Sequence, residues 1–407
     1  MATGPVDILH LTSKPPFAPG SYNRLVGMQL ERLRGFRQAS ISYWQKPVPP
    51  GLDTDETLLV NRQHLSLRQR LYLNLPESLR PFYHNGVTGE DALTYFWGIL
   101  RELPRLRPRV IVCYDNYKFG SMLRQAVNWP CRLVLNQQGL SYHLSPTAAG
   151  HLYSLQAFDV VWVSTLSSYR FDRYRQSAYE PQVTVIPNWI DMDKFAPVSA
   201  AKKAELRDRW QLPRDREIVL WLSRLVPKKG AHLILQSWPQ ILRQHPNAFL
   251  WIVGGIDKRP GYDDYLRNLI HTLGVGDSVR LQGAASPEIA ETCYQASDVY
   301  VFPTVFSGEG FGLSLLEGMA SGLACLASDH RILQELYPES VVRLVPDPNL
   351  IDAFVEPIVT LLRDAGLRHR MGQAACTFAA ENYHHDKILA QVKDFYMQQL
   401  SFTGGGQ

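Results

Sequence analysis

Phe306-Ser-Gly-Glu-Gly-Phe-Gly-Leu-Ser-Leu-Leu-Glu-Gly-Met-Ala-Ser-Gly322 comes just after a short apolar run, Val299-Tyr-Val-Phe-Pro303. The apolar run reads as a buried strand. Gly308, Gly310 and Gly312 take side-chain bulk out of the loop that follows, so a ligand can approach its backbone. Leu313, Leu315, Leu316, Met319 and Ala320 recur at helical spacing, and the loop therefore opens a helix. Backbone N–H groups and the positive end of the helix dipole favour an anion at such a start. Glu309 lies in the loop, and Glu317 lies about two turns farther on. Carboxylates accept hydrogen bonds from hydroxyls, which suits a sugar or a ribose.

A second stretch upstream points to the same chemistry. Ile218-Val-Leu-Trp-Leu222 reads as a strand and runs into Ser223-Arg-Leu-Val-Pro-Lys-Lys-Gly230. A helix follows through Leu233, Ile234 and Leu235. Arg224 offers a fork of donors and Lys229 a point charge, a workable pair for a diphosphate. Cations at a helix N-terminus oppose its dipole, and an anion between them removes the conflict.

Glu-x7-Glu around Gly-Phe-Gly, after a strand ending in Pro, resembles the signature of the retaining GT-B glycosyltransferases, in particular glycosyltransferase family four. Ser223 to Gly230 is similar to that family's Gly-Arg-Leu-x-x-x-Lys-Gly, with Ser223 in place of the first Gly. Val185-Ile-Pro-Asn-Trp-Ile-Asp-Met-Asp-Lys-Phe195 resembles its Pro-Asn-Gly-Val-Asp segment. The likeness is specific over residues 180–330 and rests on element order before them.

The resemblance implies an α/β fold of GT-B architecture, with two Rossmann-like domains facing a cleft. Residues 1–195 are then the acceptor-side domain and 196–383 the nucleotide-sugar domain. Residues 384–407 form a helix crossing back to the first domain, and a tail. The implied function is retaining transfer of a hexose from a nucleotide-diphosphate sugar to a hydroxyl of a glycan, lipid or small molecule. Arg224, Lys229 and Glu309 are the implied catalytic residues. Gly20, Ser21, Gly283, Gly310, Phe311, Gly312, Leu313 and Glu317 would bind the donor. Many family members carry His-Gly after the strand placed here at 132–135. This chain has Gln138-Gly139, with His143 close behind, and Gln138 cannot act as a general base. Gln138 and His143 are thus possible sugar or acceptor contacts.

No cofactor or metal is expected. Asp191-x-Asp193 invites a cation reading, but two carboxylates alone make no site for Mg²⁺, and turn and cap roles suit them. A P-loop is absent, and so is a GxGxxG with a downstream acidic residue, which argues against a dehydrogenase. A sugar epimerase, a phosphorylase and a nucleotide-sugar-binding scaffold without catalysis remain alternatives.

Composition fits this reading. The 407 residues are 45% hydrophobic and 20% charged, enough for two full cores. A net charge of +4 is too small to imply nucleic acid. Residues 1–195 carry 21 Lys and Arg against 15 Asp and Glu, and the remainder 21 against 23. Arg62, Arg68, Arg70 and Arg80, interleaved with Leu71, Tyr72, Leu73, Phe82 and Tyr83, suit an anionic membrane surface, an acidic acceptor or a solvated helix face. Cys113, Cys131, Cys293, Cys325 and Cys376 show no CxxC spacing and read mainly as buried thiols. The start lacks the marks of a secretory signal, and no apolar run approaches a membrane span. A cytoplasmic protein, with peripheral membrane contact in reach, is expected.

Overall fold

A computed structural model describes residues 5–12, 21–43, 57–60, 90–138, 155–166, 182–255, 261–286, 289–305, 309–347 and 349–403. The chain divides into two compact units, Met1–Pro187 with Ile388–Gln407, and Asn188–Lys387. The boundary thus falls at Pro187, ahead of the division expected after residue 195. The return falls at Ile388 rather than at 384.

In the first unit the strands are β1 (Ile8–Thr12), β2 (Gln38–Tyr43), β3 (Thr57–Val60), β4 (Val110–Tyr114), β5 (Arg132–Gln137), β6 (Val160–Val163) and β7 (Gln182–Val185). They make one parallel sheet in the order β3-β2-β1-β4-β5-β6-β7. Helices α1 (Ser21–Arg32), α2 (Glu90–Leu106) and α3 (Gly120–Ala126) alternate with the strands. A parallel sheet covered on both faces needs near-continuous apolar strands. Val110-Ile-Val-Cys-Tyr114 and Val160-Val-Trp-Val163 are such strands, and every residue of both is buried.

The second unit carries β8 (Glu217–Leu222), β9 (Ala248–Val253), β10 (Val279–Gly283), β11 (Val299–Phe302), β12 (Ala324–Ser328) and β13 (Val342–Val345). Their order is β10-β9-β8-β11-β12-β13, again parallel throughout. Its helices are α4 (Ala200–Arg209), α5 (Ala231–Gln244), α6 (Tyr262–Thr272), α7 (Ala290–Gln295), α8 (Leu313–Ala320), α9 (Arg331–Leu336), α10 (Val355–Arg363) and α11 (Ala365–Tyr383). This strand order is that of a dinucleotide-binding fold, and it reverses between β8 and β11. Ligands of such sheets bind beyond the carboxyl ends of the strands at that reversal.

The last helix, α12 (His385–Thr403), packs on the first unit. Its Tyr396 hydroxyl donates to Gln29 Oε1 at 2.8 Å. Gln29 Nε2 in turn donates to the Tyr114 hydroxyl at 3.1 Å, and that oxygen lies 3.1 Å from His10 Nδ1. Gln38 Oε1 can only accept, so His10 Nε2 donates to it at 3.0 Å. Burial lowers the His10 pKa to about 4, and the ring is neutral in ordinary buffers. Farther along, Arg109 donates to the Leu400 carbonyl at 2.8 Å, and the Arg132 guanidinium lies 4.9 Å from the centre of the Phe402 ring.

Four cysteines are buried and Cys376 is partly so. Desolvation raises the pKa of the Cys113, Cys293 and Cys325 thiols and pushes that of Cys131 up to about 12. These four are therefore packing groups. Among the described residues no helix is long and apolar enough to cross a membrane. Arg62, Arg68, Arg70 and Arg80 lie outside the described residues.

At the amino ends of β8 and β11 a buried ionic cluster ties α4 to the second sheet. Asp298 accepts from Lys203 at 2.7 Å, from Arg207 at 2.6 Å and from the Ile218 amide at 2.7 Å. Burial pushes its pKa up, but the two cations and the amide outweigh that and hold the carboxyl below its ordinary range. Asp298→Asn strands two cations in a part-buried site and is expected to cost about 3–5 kcal/mol. Chemical denaturation of the variant measures the loss. The folded pKa is depressed, so the stabilisation is present above the unfolded carboxyl's range, near pH 4. It fades as pH falls through the lower folded value. The gap between wild type and variant should therefore narrow in acid.

Candidate active site

The strand-order reversal brings the loops after β8 and β11 into contact. Val305 donates its amide to the Lys228 carbonyl at 3.0 Å, and the Thr304 hydroxyl donates to the same oxygen at 3.2 Å. Gly230 allows this approach. A Cβ there would lie 1.8 Å from the Pro303 carbonyl oxygen, and its φ of 73° is one that favours glycine. On the other side, His330 Nε2 donates to the Thr304 carbonyl at 2.7 Å. His330 stands between β12 and α9, so three strand ends share one brace. Sequence reading missed His330, because a single histidine before a six-residue helix carries no pattern.

Within that brace Lys229 and Glu309 meet as an ion pair. Their side chains are only 12% and 15% exposed. The Lys229 ammonium also lies 5.2 Å from the centre of the Phe302 ring, within range of a cation–π contact. Its carbonyl accepts from Trp221 Nε1 at 3.0 Å, which fixes the backbone beneath the side chain. Arg224, in the same loop, is exposed.

Gly312 caps α8 with φ 71° and ψ 48°, and the Leu315 and Leu316 amides donate to its carbonyl at 2.8 and 3.0 Å. The first amides of the helix have no acceptor within it. Gly310 and Leu313 flank that start, Gly310 buried and Leu313 half-buried. The Phe311 side chain turns into the core. Its ring sits 5.3 Å from that of Tyr383, and the Tyr337 hydroxyl donates to its carbonyl at 3.1 Å. Phe311 can thus serve a ligand only through its backbone amide.

Glu317 lies in the second turn of α8, 4% exposed, and accepts from the Tyr294 hydroxyl at 2.8 Å. Tyr294 comes from α7 and was not anticipated. The structure therefore brings Glu309 to Lys229 and sets Glu317 against a different partner. Gly283 ends β10, two strands from β8, and its carbonyl accepts from the Gly254 amide at 2.7 Å.

The first unit's candidates are only partly described. Gln138 follows β5, with its side chain donating to Asn136 Oδ1 at 2.6 Å and its amide to Asp115 Oδ1 at 2.7 Å. Ser21 opens α1 in the backbone trace, and Gly20 and His143 lie outside the described residues. Asp191 forms a turn, its carbonyl accepting from Lys194 and Phe195 at 3.2 and 2.9 Å. His385 joins Asp191 and Asp193 at 4.0 and 3.7 Å, a contact that residue spacing could not show.

Two parallel α/β sheets with a site at the second sheet's strand reversal define the GT-B class of glycosyltransferase. Sucrose-phosphate synthase from Thermosynechococcus elongatus shares this fold, with a TM-score of 0.74 at 21% identity, covering 97% of this chain and 99% of that one. Anabaena Alr3699/HepE in complex with UDP and glucose gives a TM-score of 0.75 at 16% identity, covering 97% and 100%. A family model, "Glycosyl transferases group 1", matches residues 202–377. The chain is 32% identical over 320 residues to the GDP-mannose-dependent alpha-(1-6)-phosphatidylinositol monomannoside mannosyltransferase of Mycobacterium tuberculosis, covering 76% of this chain and 77% of that protein. It is 30% identical over 229 residues to the phosphatidyl-myo-inositol mannosyltransferase of the same species, covering 55% and 56%. The chain belongs to the group 1 glycosyl transferase family, and it is a glycosyltransferase.

Proposed function

We propose that the protein moves a hexose from a nucleoside-diphosphate sugar to an acceptor hydroxyl, with retention of anomeric configuration and without a metal ion. The observation that carries this reading is the meeting of Lys229 with Glu309 where the second sheet reverses its strand order. Arg224, Lys229 and the amides around Gly310 to Gly312 offset the charge that develops on the leaving diphosphate, and such preorganised electrostatics usually contribute most to catalysis. Glu309 holds hydroxyls of the transferred sugar, and Glu317, set by Tyr294, holds the ribose. The bond from the anomeric carbon to the phosphate oxygen breaks as the acceptor oxygen bonds to the same carbon. The departing phosphate oxygen takes the acceptor's proton on the same face. Two cations and a helix terminus supply the positive charge that a cation would otherwise bring.

The mannosyltransferase relative takes GDP-mannose, which makes that donor the first to test, with UDP-glucose, ADP- and dTDP-sugars beside it. Its acceptor is a phosphatidylinositol monomannoside. A lipid-linked hydroxyl suits the excess of Lys and Arg in residues 1–195, since basic surfaces attract anionic headgroups. A glycan or a small molecule is the other acceptor class. A thermal-shift screen of the donors tests the reading. At a hundred times its Kd, a ligand that binds only the folded state adds about 2.7 kcal/mol of stability. One donor should raise Tm by several degrees, with transfer activity that persists in excess EDTA. No shift with any donor would reject the donor site, and loss of activity on chelation, restored by Mg²⁺ or Mn²⁺, would reject the metal-free mechanism.

A further inference from the structure

The Lys229–Glu309 pair bears on how the diphosphate is gripped and released, an inference that rests on the donor reading above. Lys229 is the cation meant for the diphosphate, yet its ammonium is held by a carboxylate. That carboxylate belongs to the loop whose next residues, Gly310 to Gly312, open α8 and are proposed to take the same anion. The two backbones cannot drift apart, since Thr304 and Val305 are bonded to Lys228 and His330 grips Thr304. The surroundings are part-buried and include the Phe302 ring. An unpaired charge there is costly, so Lys229 needs a partner at every stage of a turnover. A diphosphate, with at least two negative charges, attracts the ammonium more strongly than one carboxylate does.

We infer that Glu309 is the resident counter-ion of Lys229, displaced by the donor's diphosphate and restored when the nucleoside diphosphate leaves. Donor binding then frees Glu309 for the sugar hydroxyls at the moment they arrive. After transfer, the carboxylate competes for the lysine and helps to expel the product. Glu309 thereby lowers the affinity of the very group that Lys229 binds.

Calorimetry with UDP, GDP, ADP and dTDP identifies the nucleoside diphosphate that wild type binds, and the test uses that one. Glu309→Gln should bind it at least tenfold more tightly than wild type. Lys229→Met should bind it more weakly. The double variant completes a cycle that isolates the lysine–carboxylate interaction. If the lysine must let go of the carboxylate, the gain from Glu309→Gln is at least tenfold larger with Lys229 present than in the Lys229→Met background. Equal gains in both backgrounds mean simple repulsion between Glu309 and the ligand, and overturn the exchange. Unchanged or weaker binding by Glu309→Gln overturns it as well. Should Glu309→Gln not fold, Glu309→Asp carries the test. It keeps the charge but withdraws it by one methylene, so it should also bind more tightly than wild type, and no gain overturns the exchange. A wild type that binds none of the four overturns the donor reading and the exchange together. A wild type that binds, with no gain in the variants, overturns the exchange alone.

Discussion

Arg224→Ala and Lys229→Ala should each lower kcat/KM for the donor by at least tenfold, for reasons the structure separates. A charge-assisted hydrogen bond contributes about 1.5–3 kcal/mol, which corresponds to about 10- to 150-fold if it is made in the transition state. Arg224 is exposed, and exposed ion pairs contribute about 1 kcal/mol or less to stability. Its replacement should therefore change kinetics with little change in Tm. Lys229 is 12% exposed and neutralises Glu309, so Lys229→Ala leaves a part-buried carboxylate without its cation. That loss is expected to cost about 3–5 kcal/mol of stability besides the catalytic defect. Kinetics at a temperature where both variants stay folded, set beside their denaturation curves, separates the two effects. Near wild-type kcat/KM in both variants would exclude the proposed diphosphate site.

Much of the second unit was legible because its strands are apolar on both faces. Ile218–Leu222, Phe249–Val253 and Val299–Phe302 announce a parallel sheet without any partner in view. The reversal between β8 and β11 was not legible. Strand order is a non-local property, and only the fold shows that the Lys229 loop and the Glu309 loop touch. In the first unit β2 went unseen. Gln38-Ala-Ser-Ile-Ser-Tyr43 alternates polar and apolar residues and follows a basic stretch, so it resembles a surface segment. Its polar side is buried instead. Ser42 lies 2.7 Å from the Thr12 hydroxyl, and Gln38 bonds His10, the Gln29 carbonyl in α1 and the Leu33 carbonyl just past that helix. A buried polar face is stable only when each group finds a partner, and the partners lie on other segments. Among the site residues, Glu309 and Glu317 stood out by spacing. Tyr294 and His330, which hold Glu317 and the Glu309 loop, have roles that arise only from packing.

That packing sharpens what should follow from changing each glutamate. Glu309 meets Lys229, the cation proposed to hold the diphosphate, which on that proposal puts it close to the bond that breaks. Glu309→Gln keeps the shape and loses the charge, so kcat should fall by about two orders of magnitude, the usual scale for losing a preorganised electrostatic contact. The donor's KM should stay level or drop, because the same change releases Lys229 to the diphosphate. Glu317 is buried one turn inside α8, with one oxygen fixed by Tyr294. The ribose it is proposed to hold lies far from the reacting carbon, and its contacts are alike in ground and transition states. Glu317→Gln should therefore raise the donor's KM by about tenfold and leave kcat near wild type. Tyr294→Phe gives an independent check. Removing one hydroxyl takes away the Tyr294 bond to Glu317, so this variant should copy the KM effect in weaker form. If Glu317 were merely a packing residue, Glu317→Gln and Tyr294→Phe would lower Tm without moving KM at a permissive temperature. If Glu309 were merely the lysine's structural partner, Glu309→Gln would lower Tm and leave kcat unchanged. Steady-state kinetics of the three variants at saturating acceptor distinguishes a site built around two unlike carboxylates from one in which both serve the fold.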